Sequence, residues 1–600
     1  MKTRITKGNL IALLLLMAFG FFINRQIEIK GLYMDDLYLW SCYGEQSFLE
    51  YIFPIGGTRF RFIYYIASWL ELWLVENHIS WLVPINILLN GLIAWTVYGI
   101  GKKFSRSDIV GFLCGIVYLM SRLSYYQISQ VYGLMETMAL WCAIVILYFL
   151  YRVLNSREDE KWYFIGANLL YFAVCFIHER YMALLPLFFL VLLFKLSKRI
   201  WMWLVPAVNI VIVLIIRVLT IGTLSPAGTG GTDVADTFHV GEAVKYAWDQ
   251  VAYVFGISAG PSYLSGLSWA ETPGKIKYLV LAADAVLLLL VISFLIKAAV
   301  KKNGRPSVWK NTALFLVFIM LCIGSSSVTV RVEMRWVYVS LTGALLLLAY
   351  MFGVLTENGG GMQKQAPLIA LFALYTVLMF PVETFYRSQF PNLYLWPNQL
   401  RYNSLAEETY ERYGAALFGK TIYIIGNSYE MSDFTADTFF KVYDRNRRAG
   451  GTKVVHIESI RDLGQITDDM LILREDPAHN GFQDITDYVR TLKCESITGY
   501  YRDGWMDQHA RIRVMAGASG VIRLQCVYPG EPEGGEQFEL TIDGSRKETV
   551  DMSGRVAEHE IRVQPYQTAE LEIITNFYVK DAQEKRGDTA LAMLVTITVE

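Results

Sequence analysis

The sequence predicts an α-helical polytopic membrane domain over residues 1–388, an α/β domain over 389–492 and a β-sandwich over 493–600. Three observations predict this. The 600-residue chain is 54% hydrophobic and only 18% charged, against about 25% charged in ordinary soluble domains, and its mean hydropathy is +0.34. The apolar residues come in long blocks, each near the ~20 residues a membrane helix needs, and all lie in the first part of the chain. After about Gln389 these blocks give way to short alternating runs. A net charge of −1 lacks the basic face of a nucleic-acid binder, so no nucleic-acid partner is expected. The seven cysteines are scattered, without Cys-x-x-Cys spacing or a Cys/His cluster, which argues against a zinc site or a disulfide framework.

The first block, "NLIALLLLMAFGFFI" (9–23), follows a basic start and precedes no small-x-small cleavage site, so an uncleaved anchor is expected. Further spans are expected to begin near Ile79, Ile109, Gly133, Trp162, Tyr181, Trp201, Tyr278, Thr312, Trp336 and Ala366, giving about eleven by the length rule. The spans near 109 and 181 are short, which predicts tilt, a break or shielding. Between the first two spans, "FRFIYYIASWLELWLV" (60–75) reads as an amphipathic helix lying at the interface.

Alternate loops are basic: Lys102, Lys103 and Arg106; Arg152, Arg157 and Lys161; Lys195, Lys198 and Arg199; and "KAAVKKNGRPSVWK" (297–310). Basic loops stay in the cytoplasm. The amino terminus is therefore expected inside, everything after Phe385 outside, and the chain as a multi-pass protein of the plasma membrane.

The other side gathers a different set of residues. Asp35 and Asp36, in "GLYMDDLYLW" (31–40), end the first span, and Arg59 and Arg61 lie in the loop that follows. Tyr126 and Gln127 lie in "YYQISQ" (125–130) and Glu136 in "YGLMETMALW" (132–141). His178, Glu179 and Arg180 end the fifth span, and Arg331, Glu333 and Arg335 precede the tenth. The Gly/Ser/Thr-rich segment from Thr220 to Gly274 includes "SPAGTGGTD" (225–233), which lacks the Lys-Ser/Thr of a phosphate loop and reads as a flexible loop. Singly, the charged residues have bland readings as a helix cap, an ion pair, an interfacial anchor or an interhelical contact. Their coincidence on one side, at one depth, favours a shared cavity. Arginines there suit an anionic lipid phosphate, with carboxylates left for acid–base work.

"YMDDLYLW", "FIHERYMALLPLFFLVLL" (176–193) and "VEMRWVYVSLTGALLLL" (332–348) resemble, in order and topology, motifs of the C-type glycosyltransferase superfamily. These integral-membrane enzymes use polyprenyl-phosphate sugars and include protein O-mannosyltransferases and lipid A aminoarabinose transferases. The resemblance covers residues 1 to about 385. It implies a polyprenyl-phosphate-linked donor and an extracytoplasmic acceptor, whether glycan, lipid or protein. Asp35 would be the general base, Asp36 its neighbour in the pair, and the arginines would hold donor phosphate. Some members place a divalent metal at the acidic pair, so Mg2+ or Mn2+ at Asp35 and Asp36 stays open. Two other classes were weighed. A flippase-type transporter more often shows internal repeats and charges deep within helices, and neither is visible. A lipid-linked polysaccharide polymerase or ligase binds two lipid carriers and needs no early acidic pair.

In the tail, "KTIYIIG" (420–426), "KVVHIES" (453–459) and "DMLILRED" (469–476) read as strands and "DFTADTFFKVYDRN" (433–446) as a helix. "ARIRVMA", "VIRLQCVY", "QFELTIDG", "HEIRVQ", "AELEIIT" and "MLVTITVE" follow as sandwich strands between turn residues. The "GYYRDGWMD" opening (499–507) and the "FELTIDG" hairpin resemble carbohydrate-binding-like sandwiches attached to some bacterial membrane glycosyltransferases. Tyr500, Tyr501 and Trp505 are then either sugar-stacking or core aromatics.

Overall fold

A computed structural model of the chain describes all residues except 1–6, 28, 30–31, 33–34, 76–77, 157–159, 225–233, 259–265, 301–304, 358–361, 391–394, 426–439, 441–452, 461–462, 464–465, 493, 518, 553, 581–585, 587–588 and 600. The chain forms two units, Met1–Arg401 and Tyr402–Glu600.

The first unit is helical. In chain order it contains α1 (Lys7–Asn24), α2 (Asp35–Glu45), α3 (Phe48–Ile52), α4 (Phe62–Val75), α5 (Leu82–Ser105), α6 (Asp108–Met120), α7 (Tyr125–Ser129), α8 (Gly133–Asn155) and α9 (Glu160–Cys175). It continues with α10 (Leu185–Lys195), α11 (Ile200–Ile221), α12 (Val234–Thr237), α13 (Val240–Val254), α14 (Gly274–Val300), α15 (Arg305–Ser327), α16 (Met334–Thr356) and α17 (Met362–Gln389). Among the described residues seven helices, α5, α8, α11 and α14 to α17, are long and apolar enough to cross a membrane. An eighth is obtained if α6 and the segment after it, bent by 56°, count as one span. The expected eleven therefore need revision by length. Helices α9 and α10 stand where spans were expected but have 16 and 11 residues. The apolar run at Tyr181 begins in a 3-10 turn, Glu179–Leu184, before Pro186 starts α10. The segment expected as a loop between Thr220 and Gly274 folds in part as α13, while 225–233 lies outside the described residues.

Helix α16 is buried on nearly every side and forms the centre of this unit. Helices α5 and α6 touch closely through glycine. A Cβ on Gly111 would stand 2.7 Å from Lys102 N and Tyr98 O. After Met120 the chain breaks at Ser121, makes one 3-10 turn, Arg122–Ser124, and enters α7. A polar knot holds this break. The Arg122 backbone N–H donates to Glu383 Oε2 at 2.6 Å, and its guanidinium donates to Gly256 O and Ser258 Oγ, both at 2.9 Å. Arg387 donates to Ser121 O at 3.0 Å and Ser124 Oγ at 2.9 Å. Glu383 and Arg387 lie in the last two turns of α17. Tertiary partners make such charges tolerable.

The second unit contains two sheets. The first has order β2-β1-β3-β4. Strands β1 (Thr421–Ile425), β2 (Lys453–Ile457) and β3 (Met470–Asp476) are parallel, and β4 (Gly481–Asp484) adds antiparallel to β3. Helix α18 (Leu395–Tyr413) runs into this unit, where Thr409 and Tyr413 receive the Phe482 and Asp484 N–H groups. Helix α19 (Thr486–Leu492) follows β4. The helix expected over 433–446 lies outside the described residues apart from Phe440.

The second sheet is antiparallel. It contains β5 (Cys494–Tyr500), β6 (Trp505–Met515), β7 (Val521–Val527), β8 (Gln537–Ile542), β9 (Arg546–Asp551), β10 (Val556–Arg562), β11 (Thr568–Thr575) and β12 (Leu591–Val599). The 11-residue β6 pairs with β12 at its start and with β11 further on, while β5 lies along it as well. One strand thus links two faces, β10-β7-β12 and β5-β6-β11-β8-β9, around a single core that includes Ile512, Leu524, Phe538 and Leu571. This is the sandwich expected. Tyr500 belongs to that core and donates to Val595 O at 2.9 Å, which removes it from the sugar-stacking candidates. Tyr501 donates to Asp507 at 2.8 Å.

Candidate active site

Helix α2 opens with Asp35 and Asp36, where the helix dipole favours negative charge. The two carboxylates part company at once. Asp36 is buried, and its Oδ1 accepts from Tyr132 N at 2.8 Å and its Oδ2 from Val131 N at 3.1 Å. It thereby ties α2 to the turn that starts α8. Burial pushes the Asp36 carboxyl up to about 7, with the two N–H bonds pulling the other way. Asp35 is exposed, and its charge acts on Arg335 and Tyr126. Of the pair, Asp35 is the carboxylate open to a ligand.

Glu136, one turn into α8, is buried and receives Arg180 Nη2 at 2.6 Å. His178 Nε2 lies 3.3 Å from the other Glu136 oxygen. The His178 Nδ1 accepts the Arg180 N–H at 3.4 Å, which leaves its proton on Nε2, facing Glu136. Burial pushes His178 down to about 4, so the ring is neutral near pH 7. Arg180 Nη2 also donates to Tyr181 OH at 3.0 Å. Its Nη1 is buried with no hydrogen-bond partner among the described residues.

A second arginine repeats the arrangement at the start of α16. Glu333 is fully buried between Arg331 Nε at 2.9 Å and Arg335 Nε at 2.5 Å. The Arg335 Cζ stands 4.3 Å from the Tyr126 ring centroid and 5.8 Å from both Tyr132 and Trp336. Its Nη1 is also buried with no hydrogen-bond partner among the described residues. Arg180 Cζ lies 6.0 Å from the same Trp336 ring. Trp336 thus links the two arginines, and Asp35 is coupled to one of them.

The remaining expected residues form a supporting layer. Arg61 Nε donates to Glu179 Oε2 at 2.6 Å, and its Nη1 to Tyr132 OH at 2.8 Å. Arg59 donates to the same hydroxyl at 3.4 Å. Gln127 is buried on α7, with neither amide atom hydrogen-bonded. The structure therefore brings Asp35, Asp36, Tyr126, Glu136, His178, Arg180, Glu333 and Arg335 into one cluster. Arg59, Arg61 and Glu179 attach through Tyr132, and Arg331 attaches through Glu333. Gln127 lies next to Tyr126 in the chain but makes no hydrogen bond to the cluster.

Sequence reasoning missed Tyr132, Tyr181, Trp336 and Glu71. The first three stood inside quoted motifs, but nothing in an aromatic residue marks it as a hub before its neighbours are known. Glu71 did leave a signal, as a lone acid on an apolar helix. It is buried on α4 near Asp36, and burial followed by the Asp36 charge raises its carboxyl. As for a metal, each Asp36 oxygen accepts one backbone N–H, while Asp35 is exposed. Among the described residues no group of three or more His, Cys, Asp or Glu is placed to hold one.

No family model and no curated relative matches the chain. Among solved structures it is similar to ArnT from Cupriavidus metallidurans in the apo state, at 12% identity and a TM-score of 0.39 over 75% of this chain and 85% of that one. The same protein bound to undecaprenyl phosphate gives 13% identity and a TM-score of 0.39 over 82% and 96%. The archaeal oligosaccharyltransferase AglB from Archaeoglobus fulgidus, in complex with an inhibitory peptide and a dolichol-phosphate, gives 9% and 0.44 over 99% and 96%.

Proposed function

We propose that the chain is a membrane glycosyltransferase that moves a sugar from a polyprenyl-phosphate donor to a hydroxyl of an extracytoplasmic glycan, lipid or protein. The observation behind this reading is the pair of half-used arginines. Arg180 and Arg335 each commit one edge to a buried glutamate and keep a buried Nη1 with no hydrogen-bond partner among the described residues. An unpaired buried donor is costly, and an anion between two such donors removes the cost. Phosphate fits because arginine binds its oxygens in a planar fork. The glutamates fix each fork and leave the outward edge for the ligand.

Asp35 supplies the base. It takes the proton of the acceptor hydroxyl as that oxygen bonds the anomeric carbon. The bond from that carbon to the phosphate oxygen breaks, the electron pair stays on the phosphate, and Arg180 and Arg335 stabilise the growing charge. Asp36 holds the turn that carries Tyr132, and with it the arginine-bearing layer. The apolar helices give the prenyl chain a greasy path.

Asp35→Asn is nearly isosteric but cannot take up the proton. We expect turnover with an undecaprenyl-phosphate sugar to fall about 10²- to 10⁴-fold, with undecaprenyl phosphate binding unchanged. Near-normal turnover would remove Asp35 from the role of base. Unchanged lipid binding in both Arg180→Gln and Arg335→Gln would place the phosphate elsewhere.

A further inference from the structure

We propose that Trp336 is a third, uncharged donor to the bound headgroup, and that it makes the arginine cluster select a tetrahedral phosphate over a carboxylate. The inference rests on the phosphate reading above and adds to it. Trp336 is 6% exposed, and its indole Nε1 has no hydrogen-bond partner among the described residues. A buried tryptophan N–H normally finds one. The ring stands beside both arginines whose Nη1 groups are likewise unpartnered, at 6.0 Å from Arg180 Cζ and 5.8 Å from Arg335 Cζ. Three unused buried donors on three neighbouring side chains, two cationic and one neutral, point to one ligand rather than to three separate faults.

The number of donors matters. A carboxylate offers two oxygens, which the two arginines alone can occupy. A phosphomonoester, the state of the lipid once the sugar has left, offers three non-bridging oxygens, so only with phosphate does the third donor meet an oxygen of its own. The indole also holds the two like-charged guanidinia to one aromatic surface, where cation–π attraction offsets part of their repulsion. Because the third donor is neutral, it distinguishes the two headgroups without adding positive charge that would retain any anion.

The test uses the full chain in lipid nanodiscs. Farnesyl phosphate and farnesoate compete with labelled undecaprenyl phosphate, two probes alike in their apolar tail. Wild type should prefer the phosphate. Trp336→Phe keeps a ring and loses the N–H. It should weaken farnesyl phosphate about tenfold, leave farnesoate unchanged and so erase the preference. Equal loss of both probes, or loss of neither, overturns the proposal. A second measurement needs no substitution in the protein that binds. With 15N-indole-labelled tryptophan, the Trp336 N–H resonance should move on adding farnesyl phosphate and stay still with farnesoate. Movement with both, or with neither, also overturns it. If Arg180→Gln and Arg335→Gln weaken farnesyl phosphate while Trp336→Phe does not, this inference alone fails. If none of the three changes binding, the phosphate reading fails with it.

Discussion

Asp35 and Asp36 are neighbours in the chain and opposites in the fold. Their sequence context, two acids among aromatic residues, gave no basis for telling them apart. The separation comes from Val131 and Tyr132, whose N–H groups take both Asp36 oxygens. Linkage gives a sign for the consequence. Burial raises the Asp36 carboxyl from the usual carboxylate range to about 7. The folded chain therefore binds a proton there that the unfolded chain releases, and stability from this group is lost as pH rises from about 4 through 7. Asp36→Asn cannot ionise, but its single amide oxygen meets only one of the two N–H groups. The variant should melt lower than wild type at pH 5, and the gap should narrow by pH 8. Melting curves at both values check this, and a gap independent of pH would show that Asp36 does not titrate in that window. The arginines divide in the same way. The sequence favours Arg180 and Arg335 over Arg59 and Arg61 as phosphate contacts. In the fold Arg61 is committed to Glu179 and Tyr132, whereas Arg180 and Arg335 keep unused donors.

At the scale of elements, the sequence was most readable where a local period decides the structure. Helices began near most of the positions where apolar blocks began, and β1, β2 and β3 fell on the runs "TIYII", "KVVHI" and "MLILRED". Strand β9, "RKETVD", was missed because Val550 alone faces the core and the rest are polar edge residues. Strand β4, "GFQD", is too short to show alternation and exists because β3 offers it an edge. The close contact of α5 with α6 was equally hidden, since a glycine in an apolar run does not announce what approaches it. A Cβ at Gly111 would meet the α5 backbone at 2.7 Å, whereas one at Gly99 would meet nothing within 4 Å. Gly111→Ala should therefore force the helices apart and cost about 1–3 kcal/mol. Gly99→Ala should be neutral or slightly stabilising, because alanine favours helix. Thermal melting of the two variants in the same nanodiscs is the comparison, and equal melting temperatures would refute the tight crossing.

For the helical unit as a whole, the two ends differ in chemistry. Lys102 and Lys103, Arg152, Lys195 and Lys297 lie in the last turns of α5, α8, α10 and α14. Hydrogen bonds gather these ends, Lys103 Nζ to Tyr148 OH at 2.8 Å and Lys195 Nζ to Val153 O at 2.7 Å. Glu136 lies in the first turn of α8, at the other end of that helix, and Arg335 in the first turn of α16. Basic ends face the cytoplasm, so the site should face outward and the second unit should lie outside. A cysteine replacing Gly534, a surface turn position with nothing within 4 Å of a built Cβ, should react with an impermeant thiol reagent in intact cells. Reaction only after the cells are opened would invert the orientation.

What the sequence by itself determined was the membrane domain, the β-rich tail and the set of polar residues from which a site is built. Each depends on composition or on a period only a few residues long. The tertiary structure decided which of those residues are free to act. Asp36 meets Tyr132 across 96 positions, and Arg61 meets Glu179 across 118. A polar side chain is available to a ligand only when no such distant partner has already taken it. In a dry interior each donor or acceptor must find some partner, so availability is a property of the packed chain and is written in no local stretch of it.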